Sequence, residues 1–564
     1  MAHTGTAVST PRSATPDLHD DATTIADPRS ETVSLTDQTN LLPRKKVMAV
    51  FFGLALCILV SCLDSTIPLY GRFSDIFGRK VALCLAMGIF MVGSLAAGFS
   101  RTIIQLIVLR GVAGVGGGGI VSMAQIVISD VVSLRDRGKY QGIIGVVVAF
   151  GFAVGPLLGG VLAEKAGWRW CFWVTLPVSL CAAVFVLLVL PLKPVEGNFG
   201  KKLAVVDYLG TVLTLGGCTL VVLPLIWGGV TFPWTSPVVL APLCSGVLVV
   251  ALFCLWEWKG ARLPIIPMYI FKQVTITGVY ITMFINGVVF YSSLFYLPQY
   301  FQVALSYTAV RSGVFLLPVL VSQTLASFIT ASGQMISRTG RYRTNIYCGF
   351  AIWTVGCGCL STVTPSTPKG LLVFYMLIAG TGAGGTLQTT TVAAQASVSR
   401  RDMSVVTAVR NFIRLLGGTF SLAIGATIIN NTLRHTMSAL HLAPTTISKI
   451  VDDPTVLGAR TSASASSLAD LGVSAAVAER ILGAYIRGFR TLFILNTALN
   501  AVATVAAVVL IRHIDLTRGD EEVLKQKAIE EALAAEKASV VEAPGIVVPA
   551  ASQEKEKPFG EENV

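Results

Sequence analysis

Charge is what this chain has least of. Of its 564 residues only 13% are Asp, Glu, Lys or Arg, against 53% hydrophobic. A soluble domain carries roughly a quarter charged residues, so a string of soluble domains is excluded. The alternating strands of about ten residues that build a membrane β-barrel are also missing. The 11 cysteines sit in apolar runs, as at Cys57, Cys84, Cys181 and Cys254. Cys357 and Cys359 come closest together, and one intervening residue does not make a metal site, so no metal is expected. There is no Lys-Ser/Thr phosphate loop, no His-Glu-x-x-His helix and no Gly-x-Ser-x-Gly elbow. The glycine run from Gly114 to Gly119 lies inside an apolar stretch and lacks the following lysine. No enzyme activity and no cofactor are expected. The first 43 residues hold no apolar h-region, so no secretory leader is expected.

What is present is long apolar runs. Thirteen recur, at about 47–70, 81–99, 102–124, 141–163, 171–191, 205–228, 237–257, 273–297, 309–331, 344–363, 370–390, 403–430 and 490–511. Most approach the ~20 residues that cross a bilayer as helix. The class implied is an all-α polytopic membrane protein, with the lipid bilayer as its first partner. The formal charge of +12, from 43 Lys and Arg against 31 Asp and Glu, falls largely in short loops. There it orients helices toward the cytoplasm, and no nucleic-acid binding is expected. Basic loops follow the odd-numbered segments (Arg72, Arg79 and Lys80; Arg135, Arg137 and Lys139; Arg338, Arg341 and Arg343), whereas 229–236 and 298–308 contain no Lys or Arg. The odd loops and the C-terminus are therefore expected in the cytoplasm, and the long loop 431–488 on the far side. The sequon at Asn430 is a weak candidate for glycosylation there. One feature conflicts: Arg44, Lys45 and Lys46 precede the first segment while basic residues also follow it.

Gly71-Arg72-Phe73-Ser74-Asp75-Ile76-Phe77-Gly78-Arg79 recurs in form at Gly333 to Arg341, with Ser337 in place of Asp75. An early and a late copy of one basic hairpin suggest two related helical bundles with a site between them at the midplane. Within the first hairpin, Gly71 and Gly78 permit sharp turns. Asp75 is read as favoured by a nearby helix N-terminus and as a partner for Arg79 and Lys80, a cluster able to latch one conformation. Arg110 lies inside an apolar run, where a charge costs ~2.5–3.5 kcal/mol at the bilayer centre. It should face a cavity or a partner, or snorkel. Gly151, Gly155 and Gly159 recur every four residues, with Pro156 and Gly160 beside them; the stripe suits close helix packing with a local bend. Asp64 is the one carboxylate well inside an apolar run and is the proton-carrying candidate, tuned by Arg110 if the two meet. Asn286, Gln323 and Gln388 are polar groups in late helices, either lining a cavity or bonding neighbouring helices.

In this order the motifs resemble the fourteen-helix drug:proton antiporter family, fungal type, of the major facilitator superfamily. Leu63-Asp64-Ser65-Thr66-Ile67 resembles its first-helix motif. Pro68 to Lys80 resembles the end of its second helix and the following loop. Leu106 to Gly119, with Arg110, resembles its fourth-helix motif, Gly151 to Gly160 its fifth-helix antiporter motif, Trp168 to Phe172 the start of the sixth and Tyr296 to Gln302 the end of the ninth. The resemblance covers roughly 47–511. It implies two six-helix bundles plus two extra central helices, with a small-molecule substrate and protons as partners. The chain departs from the family in one place. Ile67 runs directly into Pro68, where the family has a loop and most of a second helix. About one helix is missing, through a splicing artefact or an internal deletion, and a fused first and second helix would account for basic residues on both flanks.

The organisation expected is a disordered cytoplasmic tail over 1–43, a truncated N-terminal bundle over 44–204, two linker helices over 205–258, a C-terminal bundle over 259–511 and a charged cytoplasmic tail over 512–564. The resemblance implies proton-coupled export of amphipathic drugs or toxic secondary metabolites by a monomer, at the plasma membrane rather than the vacuole. Transport of basic amino acids or siderophores, or an inactive or sensor-like member, stays open as an alternative.

Overall fold

A computed structural model describes residues 69–132, 137–190, 206–228, 232–331, 342–452, 454–457 and 473–514. Residues 44–68, with Asp64 and Ile67, and the second hairpin Gly333 to Arg341 lie outside the described residues, as do residues 1–43 and 515–564 of the two tails. Regular structure among the described residues is helical. In chain order the helices are α1 (Leu69–Phe77), α2 (Arg79–Gly98), α3 (Ile103–Val131), α4 (Arg137–Lys165), α5 (Trp170–Trp173), α6 (Thr175–Val189), α7 (Tyr208–Trp227), α8 (Pro237–Lys259), α9 (Val274–Val303) and α10 (Ala309–Ala331). They continue with α11 (Tyr342–Ser361), α12 (Lys369–Leu387), α13 (Thr389–Ala396), α14 (Met403–Ala439), α15 (Pro444–Asp452) and α16 (Ala475–Leu510). Among the described residues, nine helices are long and apolar enough to cross a membrane.

The helix starts follow from local chemistry. Thr102 accepts a hydrogen bond from the Gln105 amide at 3.2 Å to cap α3, and Asp207 accepts one from the Gly210 amide at 2.8 Å to cap α7. Ser236 precedes Pro237 at the first turn of α8, where a missing N–H costs nothing. Apolar side chains such as Val92, Ile104, Val247, Val502 and Val509 stay exposed on these helices, the surface a bilayer covers. Little hydrophobic force acts between helices in lipid, so small residues bring them together. A Cβ on Gly93 would lie 2.8 Å from the Ala113 Cα, so α2 and α3 touch backbone to backbone.

Buried apolar side chains form two separate clusters. One runs from Tyr70 to Leu190 and includes Phe90, Met123 and Ile144. The other runs from Phe253 to Ile511 and includes Met283, Trp353 and Phe489. The helix pairs α4 with α10, α1 with α14 and α3 with α14 are in contact, joining elements of the two clusters. The helices α7 and α8 pack on each other.

The sequence reading is shortest where the structure is longest. α14 continues to Ala439 and α16 begins at Ala475, so much of the expected loop 431–488 is helix. Amphipathic α15 fills part of the rest, with Ile450 and Val451 buried in the C-terminal core. Asn430 is buried within α14, an unsuitable position for a glycan acceptor, which needs an exposed loop.

Candidate functional site

The first hairpin builds a buried charge cluster. α1 ends at Phe77, Gly78 turns the chain at φ 98°, and α2 starts at once with Arg79. A residue with a side chain rarely adopts that backbone angle, so glycine is required at 78. The turn throws Arg79 back over α1. Its guanidinium is bonded to Asp75, donates to Ser74 Oγ at 2.7 Å and donates from Nε to Asp130 Oδ2 at 2.7 Å. One buried cation thus joins two buried carboxylates, and the charges need each other. Arg72 lies 3.8 Å from Asp75 and donates from Nε to the Pro264 carbonyl at 2.8 Å.

Asp75 also reaches across the molecule. Ser404 Oγ donates to its Oδ2 at 2.8 Å and its Oδ1 at 3.0 Å. Ser404 is the second residue of α14, so the carboxylate faces the positive end of that helix. The expectation placed Asp75 at a helix N-terminus within its own hairpin. The helix it faces instead belongs to the other half of the chain, a pairing that local sequence cannot reveal. A Cβ on Gly71 would lie 3.0 Å from the Ser404 carbonyl oxygen, so glycine lets α1 rest directly on α14. Lys80 does not join the cluster. Its Nζ donates to the Leu187 carbonyl at 2.7 Å, near the end of α6, where free carbonyls attract a cation.

Other singled-out residues fall elsewhere. Arg110 is half-buried in α3, with its guanidinium 5.0 Å from the centre of the Phe172 ring. The motif at Trp168 to Phe172 thus supplies Arg110 with an aromatic face. Of the glycine stripe, a Cβ on Gly159 would meet no atom within 4 Å, while its carbonyl accepts from Cys171 Sγ on α5 at 3.6 Å. Gly151 and Gly155 lie in the same helix, as do Pro156 and Gly160. Earlier in α4, at Gly145, a Cβ would lie 3.4 Å from Ser327 Cβ on α10.

Asn286 donates to Thr386 Oγ1 at 3.0 Å and accepts from Arg414 Nε at 2.9 Å, tying α9 to α12 and α14. Gln323 lines a cavity of about 20 Å³ with Phe290, Leu294, Leu320 and Trp353, space for roughly one water. Gln388 is buried at the break between α12 and α13. That break frees the Leu387 carbonyl, to which Arg410 donates. Arg410 also donates to Thr390 Oγ1 and Asn411 Oδ1, both at 2.9 Å. Asn411 Nδ2 in turn donates to Gln125 Oε1 on α3 at 2.8 Å, a further polar link across the halves.

Sequence reasoning missed Asp130, Ser404, Arg410 and Arg414. Asp130 stands one residue beyond an apolar stretch, on the side of the basic loops, and that placement was its one signal.

Helices sized for a bilayer, two apolar cores and a buried polar seam between them define a polytopic membrane protein of two packed halves. Comparison then gives the family: the Major Facilitator Superfamily profile matches residues 48–422, and the chain belongs to that superfamily of transporters. Among its relatives is the MFS-type transporter ppz2 of Metarhizium majus, 36% identical over 440 residues, 77% of this chain and 74% of the relative. Citrate exporter 1 of Yarrowia lipolytica is 32% identical over 81% of this chain and 71% of its own length. The efflux pump dotC of Dothistroma septosporum is 36% identical over 66% of this chain, which spans 64% of that relative. The chain is a secondary transporter and not an enzyme.

Proposed function

We propose that this protein exports small organic molecules from the cytoplasm in exchange for protons, by rocking its two halves about a central site. The observation that carries this reading is the Asp75 junction. A carboxylate neutralised within one half by Arg79 is also held by the first turn of a helix of the other half. Such a contact can form in one state and break in the next. By the positive-inside rule the hairpin is cytoplasmic, so the state described is sealed on that side. The relatives named as efflux pump and citrate exporter support outward movement. Asp64 is the proposed proton carrier, with Arg110 as its proposed modulator, and the plasma membrane the proposed location. A proton crossing 100 mV supplies ~2.3 kcal/mol, plus the pH contribution. Basic amino acids fit less well, because Arg410 and Arg414 would oppose a cationic ligand.

The test is flux in proteoliposomes holding the full chain. An imposed pH gradient should drive rhodamine 6G or fluorescein across the membrane, and a protonophore should stop it. Folded protein with no pH-driven flux of either dye would favour an inactive or sensor-like member.

A further inference from the structure

Arg410 is 1% exposed, and among the described residues each acceptor that it bonds is neutral. Its acceptors are the Leu387 carbonyl, Thr390 Oγ1, Asn411 Oδ1 and, at 3.5 Å, the Met283 sulfur. Its Nε has no hydrogen-bond partner, and among the described residues no carboxylate stands within ion-pair distance. Neutral acceptors satisfy hydrogen bonds without neutralising charge. Burying an unneutralised cation costs several kcal/mol, whereas glutamine could donate to the same carbonyl and hydroxyl without that cost. One turn further along α14, Arg414 holds Asn286 and sits 4.7 Å from the centre of the Phe290 ring. Positions i and i+4 share one helix face, and like charges there repel. The helix therefore presents two cations on one face, beside a ring that lines the small cavity at Gln323.

We infer that Arg410 and Arg414 form the recognition site for an anionic group, a carboxylate or similar, on the transported molecule. The inference rests on the exporter reading and specifies its substrate class. Arg410 lies one residue from Asn411, whose bond to Gln125 closes the seam at this level. When the halves part on the cytoplasmic side, that bond and the Asp75–Ser404 contact break together. The face carrying Arg410 then opens to the cytoplasm. A carboxylate entering there replaces neutral acceptors with a bidentate charged partner, the geometry that guanidinium favours. Reclosing the seal buries the ion pair. An inside-negative potential also favours outward movement of a net-negative substrate, by ~2.3 kcal/mol per charge per 100 mV, which reduces what protons must supply.

The test uses two dyes with one ring system, fluorescein as the carboxylate probe and rhodamine 6G as its cationic ester counterpart. Binding to the purified full-length protein is read by fluorescence anisotropy, independently of flux. Fluorescein should bind better than rhodamine 6G. Arg410→Gln should cut that preference at least about tenfold, a loss of ~1.4 kcal/mol, and Arg410→Lys should fall between the two, keeping the charge but losing the bidentate fork. Arg414→Gln serves as the second variant should Arg410→Gln fail to fold. Absence of a fluorescein preference in the wild type would overturn the inference, and so would an Arg410→Gln protein of normal melting temperature with the preference intact. Recovery of an unstable Arg410→Gln protein by Asp64→Asn would overturn it too, by placing the counter-charge within the chain. Loss of pH-driven flux with fluorescein binding intact would instead count against the exporter reading alone.

Discussion

Arg79 is the residue on which the hairpin turns, in both geometry and charge. It is buried between Asp75 and Asp130, bonded to both. Replacing it with glutamine keeps the length but strands two carboxylates, and breaking a buried pair in this way costs about 3–5 kcal/mol. The Arg79→Gln protein should melt well below wild type in a detergent thermal-shift assay. Asp75→Asn should be milder in stability, because Asp130 still neutralises Arg79. Its effect should fall on the closed state: thiol labelling of a cysteine at Gln125 should speed up about tenfold if the seal loses roughly 1.4 kcal/mol. Equal labelling rates in wild type and Asp75→Asn would remove Asp75 from the seal. Half of this cluster was legible in the sequence. Gly78 and Arg79 announce a tight basic turn, and Asp75 is spaced to meet Arg79 one helical turn away. Ser404 was not legible, because nothing in Arg400-Arg401-Asp402-Met403-Ser404 points to a hairpin some 329 positions earlier.

Elements were read well where hydropathy decides and poorly where packing does. The apolar runs from 81 to 511 fall on helices, since a span advertises itself by length and composition. Helix ends outside the bilayer advertise nothing of the kind. Between the apolar runs 403–430 and 490–511 the stretch 431–488 reads as a loop, yet Leu433, Met437, Ile481 and Tyr485 are buried in the C-terminal core. Glycines show the same limit. Within the stripe, a Cβ on Gly159 would meet open space, whereas the chain is tight at Gly71 and Gly145, and at Gly287, where a Cβ would strike the Arg414 carbonyl. Gly159→Ala should therefore be tolerated, with a gain of about 0.5–1 kcal/mol from helix propensity. Gly71→Leu should hold α1 away from α14, leaving folded protein whose flux is reduced about tenfold or more, some 1.4 kcal/mol in rate. Normal flux in Gly71→Leu would mean that this approach is not part of the cycle.

For the whole molecule, the decisive question is whether the two halves separate. The motif order implies two bundles and a linker pair, and the departure it marks, Ile67 running directly into Pro68, lies outside the described residues. What hydropathy could not supply is which faces meet, because lipid-facing and partner-facing sides of such helices are equally apolar. The structure offers a direct handle at Gly145 and Ser327. A Cβ–Cβ separation of 3.4 Å is close to the ~3.5–4.5 Å span of disulfides. The Gly145→Cys, Ser327→Cys pair should cross-link α4 to α10 under mild oxidant. Flux should stop on oxidation and return with dithiothreitol, while a chain carrying only the native cysteines should be indifferent. Full cross-linking with undiminished flux would exclude rocking at this seam.

α14 contains 37 residues, which at ~1.5 Å per residue is a rod of about 55 Å, nearly twice the ~30 Å of a hydrocarbon core. It carries Ser404 at one tip, the two arginines about a fifth to a third of the way along, and Asn430 about three-quarters of the way along. If such a rod pivots by about 5° around its first turn, the opposite tip sweeps roughly 5 Å. A binder gripping the outer tip, such as a nanobody against Pro444–Asp452, would thus have a mechanical handle on a seal at the opposite face of the membrane.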